Sequence, residues 1–191
     1  MPFQFTHTML IATEVVVVFF VVAIAVYLRH RKTKSADLRN RFGSEYDRAV
    51  VEHGSSRKAE TNLADRETRV DALKIRELGA SERERFVAEW QTVQSRFVDY
   101  PRAAVIEADG LIAALLEARG YPRENFEQRA ADVSVTHPGV MENYRVAHAI
   151  AVPTGRAEST TEELRIAMIQ YRAIFDELVQ PLTAKGKKSA A

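Results

Sequence analysis

Thr160–Pro181, TTEELRIAMIQYRAIFDELVQP, is the stretch from which the fold is read. Leu164, Met168, Tyr171, Phe175 and Leu178 recur at steps of four, three, four and three. That period puts them on one face of an α-helix and leaves the charged residues on the others. Thr160 and Glu163 make a capping box, in which the hydroxyl accepts from the third helical amide and the carboxylate reaches back. Pro181 cannot continue the hydrogen-bond ladder and ends the helix.

Upstream, the same period recurs. Val140, Met141, Tyr144, Ala147, Ile150 and Ala151 form a face that closes at Pro153-Thr154-Gly155. Tyr121-Pro122 opens a shorter helix with Phe126, Ala130 and Val133, and Ser134–Pro138 (SVTHP) reads as a connector. Val105, Ala108, Ile112, Leu115 and Leu116 follow Pro101, a first-turn proline, and run to Gly120, a left-handed terminator. Phe86, Trp90, Val93 and Phe97 give an aromatic face behind Ser81, which with Glu84 fits a capping box. No segment alternates with a period of two, so the reading is all-α, with about six helices beyond the apolar run.

Residues 36–79 differ. Leu38, Phe42, Tyr46 and Ala49 lie on one face, and Ala59, Leu63, Val70 and Leu73 on another, with Gly54-Ser55-Ser56 between them. Arg66 stands where a further apolar residue would fall. Two antiparallel helices fit this pattern, and so does one long helix bent at Gly54. The stripe is thin for internal packing, which predicts a charged stalk or hairpin that covers it with a partner protein or a second copy through residues 36–78.

At the other end, Val15–Leu28 reads VVVVFFVVAIAVYL without a charge or a breaker. With Met9–Ala12 upstream it reaches the ~20 residues that a bilayer requires. Glu14 lies near the outer edge, where a carboxylate can reach the headgroups. Arg29, Arg31, Lys32 and Lys34 follow, then Arg39, Arg41 and Arg48, and no Lys or Arg precedes the run. The positive-inside rule then puts the N-terminus outside and the helical body in the cytoplasm, with Arg29, Arg31, Lys32 and Lys34 against the lipid surface. The alternative is export after cleavage near Ala25, where Ala23-Ile24-Ala25 has small-x-small spacing, although the cationic leader of a signal peptide is missing.

The expected organisation is a short tail over 1–8, a membrane helix over 9–28 and a basic segment over 29–35. The stalk or hairpin over 36–79, an irregular helical bundle over 80–182 and a disordered basic tail over 183–191 follow. Across the 191 residues, 27 Lys and Arg balance 26 Asp and Glu, which argues against a nucleic-acid surface. The absence of cysteine removes disulfides and thiolate chemistry.

No glycine-rich phosphate loop, HExxH or GxSxG is present, and no cofactor or metal motif stands out. His137 and His148 flank one helix without the convergent ligands that a metal needs. The charged residues left as candidates form a polar cluster of Asp99, Arg102, Asp109, Glu127, Arg129, Asp132 and His148, to be weighed against ordinary surface pairing.

Arg41-Phe42-Gly43-x-Glu45-Tyr46-Asp47, Arg96-Phe97-Val98-Asp99-x-Pro101, Arg119-Gly120-Tyr121-Pro122 and Phe126–Asp132 (FEQRAAD) resemble an uncharacterised bacterial group. Its members carry one N-terminal hydrophobic segment and a helical remainder. The likeness covers most of the helical body, and it implies anchoring and fold without an activity. In architecture alone the chain is also loosely similar to LemA-like proteins. Three functions follow as expectations: a membrane-anchored interaction or scaffold protein, a membrane-tethered small-molecule or lipid binding domain, and a hydrolase or transferase that works through convergent carboxylates or His148.

Overall fold

The computed structural model describes residues 18–25, 29, 33, 35–152 and 159–181. All regular structure among them is helical. The chain divides into two compact units, residues 1–41 and 42–191.

In the first unit, residues 18–25 are helical, and Val18, Phe19, Phe20, Val21, Val22 and Ile24 all expose more than half of their surface. No helix among the described residues is long and apolar enough to cross a membrane. Most of the span expected over 9–28 lies outside the described residues, as do Glu14, Arg31, Lys32, Lys34 and the expected terminal tails. Arg29 is exposed.

Among the described residues, the second unit holds seven α-helices: α1 (Ser44–His53), α2 (Ser56–Asp71), α3 (Ala80–Arg96), α4 (Pro101–Ala118), α5 (Phe126–Thr136), α6 (Met141–Ala151) and α7 (Thr161–Val179). A single 3-10 turn, Pro138–Val140, joins α5 to α6.

Helices α1 and α2 are a hairpin. Gly54 breaks the chain in the left-handed conformation at φ 71°, and Ser55 Oγ accepts from Lys58 N to start α2. Tyr46 Oη donates to Glu60 across the turn. Phe42, Tyr46, Ala49, Ala59, Leu63 and Val70 are buried, so the thin stripe is covered within the chain itself.

The bundle is built from α3 to α7. Trp90 stacks on Phe175 with ring centroids 4.8 Å apart, and Ile112, Leu115, Leu116, Tyr144, Ile174 and Leu178 fill the interior around them. The expected helix faces are the buried ones. Pro101 occupies the first turn of α4, and Gly120 ends it at φ 98°. A Cβ on Gly120 would lie 2.5 Å from the Lys74 carbonyl oxygen, so the crossing loop requires glycine there. Thr160 and Glu163 form the expected box: Glu163 N donates to Thr160 Oγ1, and Thr160 N to Glu163 Oε2 at 2.7 Å.

Three boundaries differ from expectation. Helix α3 starts at Ala80, and Glu82 rather than Glu84 reaches back, accepting from Gly79 N at 2.9 Å. Arg76 selects it by donating twice to Glu82, and those bonds pull the Glu82 carboxyl down to about 2. Helix α5 starts at Phe126 rather than Tyr121, because Asn125 Oδ1 caps it by accepting from Gln128 N. The expected connector Ser134–Pro138 is helical through Thr136. Burial of Ser134 and Val135 outweighs their low helix propensity, and Ser134 Oγ donates back to the Ala131 carbonyl.

Candidate functional site

Asp109 lies on α4 one residue beyond the core position Ala108, half turned from the interior, where a carboxylate needs partners. It has two. His148 Nδ1, from α6, donates to Asp109 Oδ1 at 3.0 Å, and Tyr171 Oη, from α7, donates to the same oxygen at 2.8 Å. Burial pushes the Asp109 carboxyl up, but the bonds from His148 and Tyr171, with the charges of His148 and Arg129, outweigh it. The net result lies below the ordinary 3.8. Tyr171 moves the opposite way, raised first by burial and then by the Asp109 charge.

The carboxylate fixes the tautomer of His148. With Nδ1–H committed to Asp109, Nε2 is the nitrogen left to accept a proton or a hydrogen bond. Phe126 stacks on the imidazole with centroids 3.6 Å apart and planes 4° from parallel. Beside it, Arg129 Nε donates to Tyr144 Oη at 2.8 Å, and burial raises that phenol to about 12.

His148 lines an open cleft of about 600 Å³ together with Arg48, Asn125, Phe126, Glu127, Arg145, Ala149 and Val152. The cleft lies where the hairpin meets the bundle, with Arg48 from α1 and the rest from α5, α6 and their margins. A set of ion pairs joins the two regions there. Glu45, only 2% exposed, takes a bidentate pair from Arg145 Nε and Nη2 at 3.2 and 3.1 Å. Arg66 approaches the same carboxylate at 3.9 Å, and Arg145 Nη1 donates to Glu127 at 3.1 Å. Burial lowers the Arg66 guanidinium, whereas at Arg145 the Glu45 and Glu127 contacts overcome burial and raise it. A second tie runs from Arg69 on α2 to the buried Asp132 on α5, which Gln128 also holds.

Comparison with family models, curated proteins and solved structures finds no match. The site is therefore read from its own geometry.

The seven candidates fall into separate places. Asp109 and His148 are hydrogen-bonded, Arg129 is near enough for its charge to lower the Asp109 carboxyl, and Glu127 lines the cleft with His148 and pairs with Arg145. Asp132 is a hairpin anchor held by Arg69. Asp99 and Arg102 are exposed at the start of α4, about 10–15 Å along the helix from Asp109 at ~1.5 Å per residue. They stand apart from the cluster expected of them.

The sequence reading missed Glu45 and Arg145, and placed Tyr171 and Phe126 on apolar helix faces. A signal existed for the first: Glu45 falls on the same face as Leu38, Phe42 and Ala49, a charge inside an apolar stripe, and Arg66 interrupts the facing stripe.

His137 is engaged elsewhere. Arg119, 1% exposed, donates through Nη1 to His137 Nε2 at 3.3 Å and to the Leu178 carbonyl at 3.1 Å. His137 Nδ1 therefore carries the proton that it gives to Glu177. Among the described residues no three His, Asp or Glu side chains converge as metal ligands.

Proposed function

We propose that this protein is a membrane-tethered binding module whose ligand site is the cleft between hairpin and bundle. One observation carries the reading: a cleft of about 600 Å³ is lined by a histidine whose tautomer and ring plane are both fixed, by Asp109 and Phe126. That volume is in the usual range for small-molecule sites, and the lining sets polar and charged groups beside an apolar wall of Phe126, Ala149 and Val152. Asp109, in turn, needs the bond from Tyr171, so three helices cooperate to present one ring.

The tether rests on the apolar run Val15–Leu28, on the exposed apolar helix over 18–25, and on the basic flank that begins at Arg29. Six large apolar side chains along eight residues have no place facing water, and a bilayer supplies the matching solvent. Under the positive-inside rule the helical body faces the cytoplasm.

Two measurements test this. A reporter fused after Ala191 should be active in the cytoplasm and sediment with membranes; an exported, soluble product would point to cleavage near Ala25. A metabolite screen by thermal shift of the full chain in micelles should yield a stabilising compound whose effect disappears in His148→Ala. Stabilisation that survives His148→Ala would move the site elsewhere.

A second reading, an interaction or scaffold protein at the membrane, is favoured by a separate observation. Val98 and Tyr100 are exposed in the turn between α3 and α4, Ile106 is exposed on α4, and Val51 is exposed on α1. Deleting residues 36–78 would strip the bundle of its docked hairpin, so surface changes are the cleaner test. Val51→Lys and Ile106→Lys should abolish self-association or partner capture, and an unchanged particle mass would reject this reading.

A further inference from the structure

The geometry points to a small carboxylate with an apolar body as the ligand of the cleft, its carboxylate seated on Arg145 Nη1 where Glu127 now sits. This rests on the binding-module reading above and names the chemistry of its site.

The argument begins with how Arg145 divides its donors. Nε and Nη2 are committed to the two oxygens of buried Glu45 and hold the hairpin in place. Nη1 is left for another partner, which is Glu127, and Arg145 and Glu127 both line the cleft. The two carboxylates are not equivalent. Glu45 is enclosed, whereas the Glu127 side chain is 75% exposed and takes a single bond from Arg145. An ion pair of that kind is held weakly against solvent and competing anions. Glu127 thus acts as a resident placeholder: it shows that a planar carboxylate fits on Nη1, and it can leave without disturbing the Glu45 pair.

The rest of the lining sorts in the same way. Arg48 adds a second cation, and the Asn125 side-chain amide offers a hydrogen bond to a carboxylate head. Phe126, Ala149 and Val152 supply the apolar wall for a body. Asp109 and Tyr171 do not line the cleft. They position His148, and their effect on a ligand runs through that ring.

The test uses the full chain in micelles and four probes: hexanoate, 1-hexanol, hexylammonium and inorganic phosphate. Binding is followed by NMR through the His148 ring and the methyl groups of Ala149 and Val152. Hexanoate should bind best. Glu127→Ala removes the internal competitor and should tighten hexanoate about threefold to fivefold, the range an exposed ion pair supplies. Arg48→Ala should weaken it by a similar factor. Both residues are exposed, so an unchanged amide spectrum shows that the fold is kept.

Hexanol or hexylammonium binding as well as hexanoate would overturn the carboxylate subsite while leaving the cleft as a binding site. Phosphate outcompeting hexanoate would overturn the apolar part of the proposal. Unchanged hexanoate affinity in Glu127→Ala would overturn the placeholder role. Silence from all four probes would overturn the subsite, and the binding-module reading would then stand or fall on the metabolite screen with His148→Ala.

Discussion

Where α3, α4 and α7 meet, the buried surface is apolar, with Trp90 stacked on Phe175, whereas the α1–α2 hairpin meets α5 and α6 through Glu45–Arg145 and Arg69–Asp132. The apolar residues of the hairpin, Phe42, Tyr46, Ala49, Ala59, Leu63 and Val70, lie outside the continuous core of the bundle. Apolar contact is non-directional and tolerates small shifts, so it sets that helices pack more than how. Bidentate ion pairs are directional and fix one register. The two regions therefore fail differently. Loss of an apolar contact weakens a shared interior, while loss of one ionic partner leaves a charge buried without compensation.

The largest expected effect is in the bundle. Trp90→Ala removes a ring that is nearly fully buried and stacked, and should cost about 3–5 kcal/mol in urea unfolding. Loss of all cooperative structure together would show that the hairpin does not stand alone. A surviving hairpin signal would break the comparison in the other direction.

Arg145→Ala should come next, at about 3 kcal/mol, because it strands Glu45, with Arg66 at 3.9 Å as partial compensation. Its signature is local. Amide exchange should rise across α1 and α2 while the α4 and α7 amides stay protected. Replacing both members, as Glu45→Met with Arg145→Leu, should recover most of the loss, since apolar pairs of similar volume substitute well for buried ion pairs. Failure of the double variant to recover would mean that the pair packs as well as pairs.

Gly120→Ala tests the seam between loop 72–79 and α4. A positive φ disfavours any side chain by about 1–2 kcal/mol, and the Lys74 carbonyl blocks the added methyl. The loss should appear in thermal unfolding, with weakened protection of the Arg76 amide, which donates to the Arg119 carbonyl at 2.8 Å.

How much of this was legible follows the same division. The faces of α4 and α7 could be read residue by residue, because their apolar positions repeat at helical spacing and burial follows that pattern. The start of α3 was misplaced because the choice between Glu82 and Glu84 depends on Arg76, a partner outside the helix. The cleft was less legible still. Asp109 and His148 are 39 residues apart, and Glu45 and Arg145 are 100 apart. Pairing across such separations is set by how helices dock, and local periodicity carries no record of it. A charge at an apolar stripe position, as at Glu45 and Arg66, is the trace that remains, and it signals a buried partner without naming one.

The smallest effect concerns Asp109, and its sign follows from linkage. Its folded pKa lies below the ordinary 3.8, so the folded chain binds fewer protons at this site than the unfolded chain in acid. Stability from Asp109 is then fully present above about pH 4 and falls as the pH drops through the folded value. Asp109→Asn keeps the shape, removes the charge, and can leave the His148 and Tyr171 bonds partly in place. Urea midpoints measured at pH 6 and at pH 3 should show a smaller gap between the variant and the parent at the lower pH. The same substitution sharpens the comparison of regions, because Asp109 is a polar group inside the apolar bundle. A gap that is unchanged at pH 3 would mean that the stability lost in the variant does not come from ionisation of Asp109. A gap that closes would mean that the bundle, like the hairpin seam, uses a charge to hold one side chain, His148, in a single orientation.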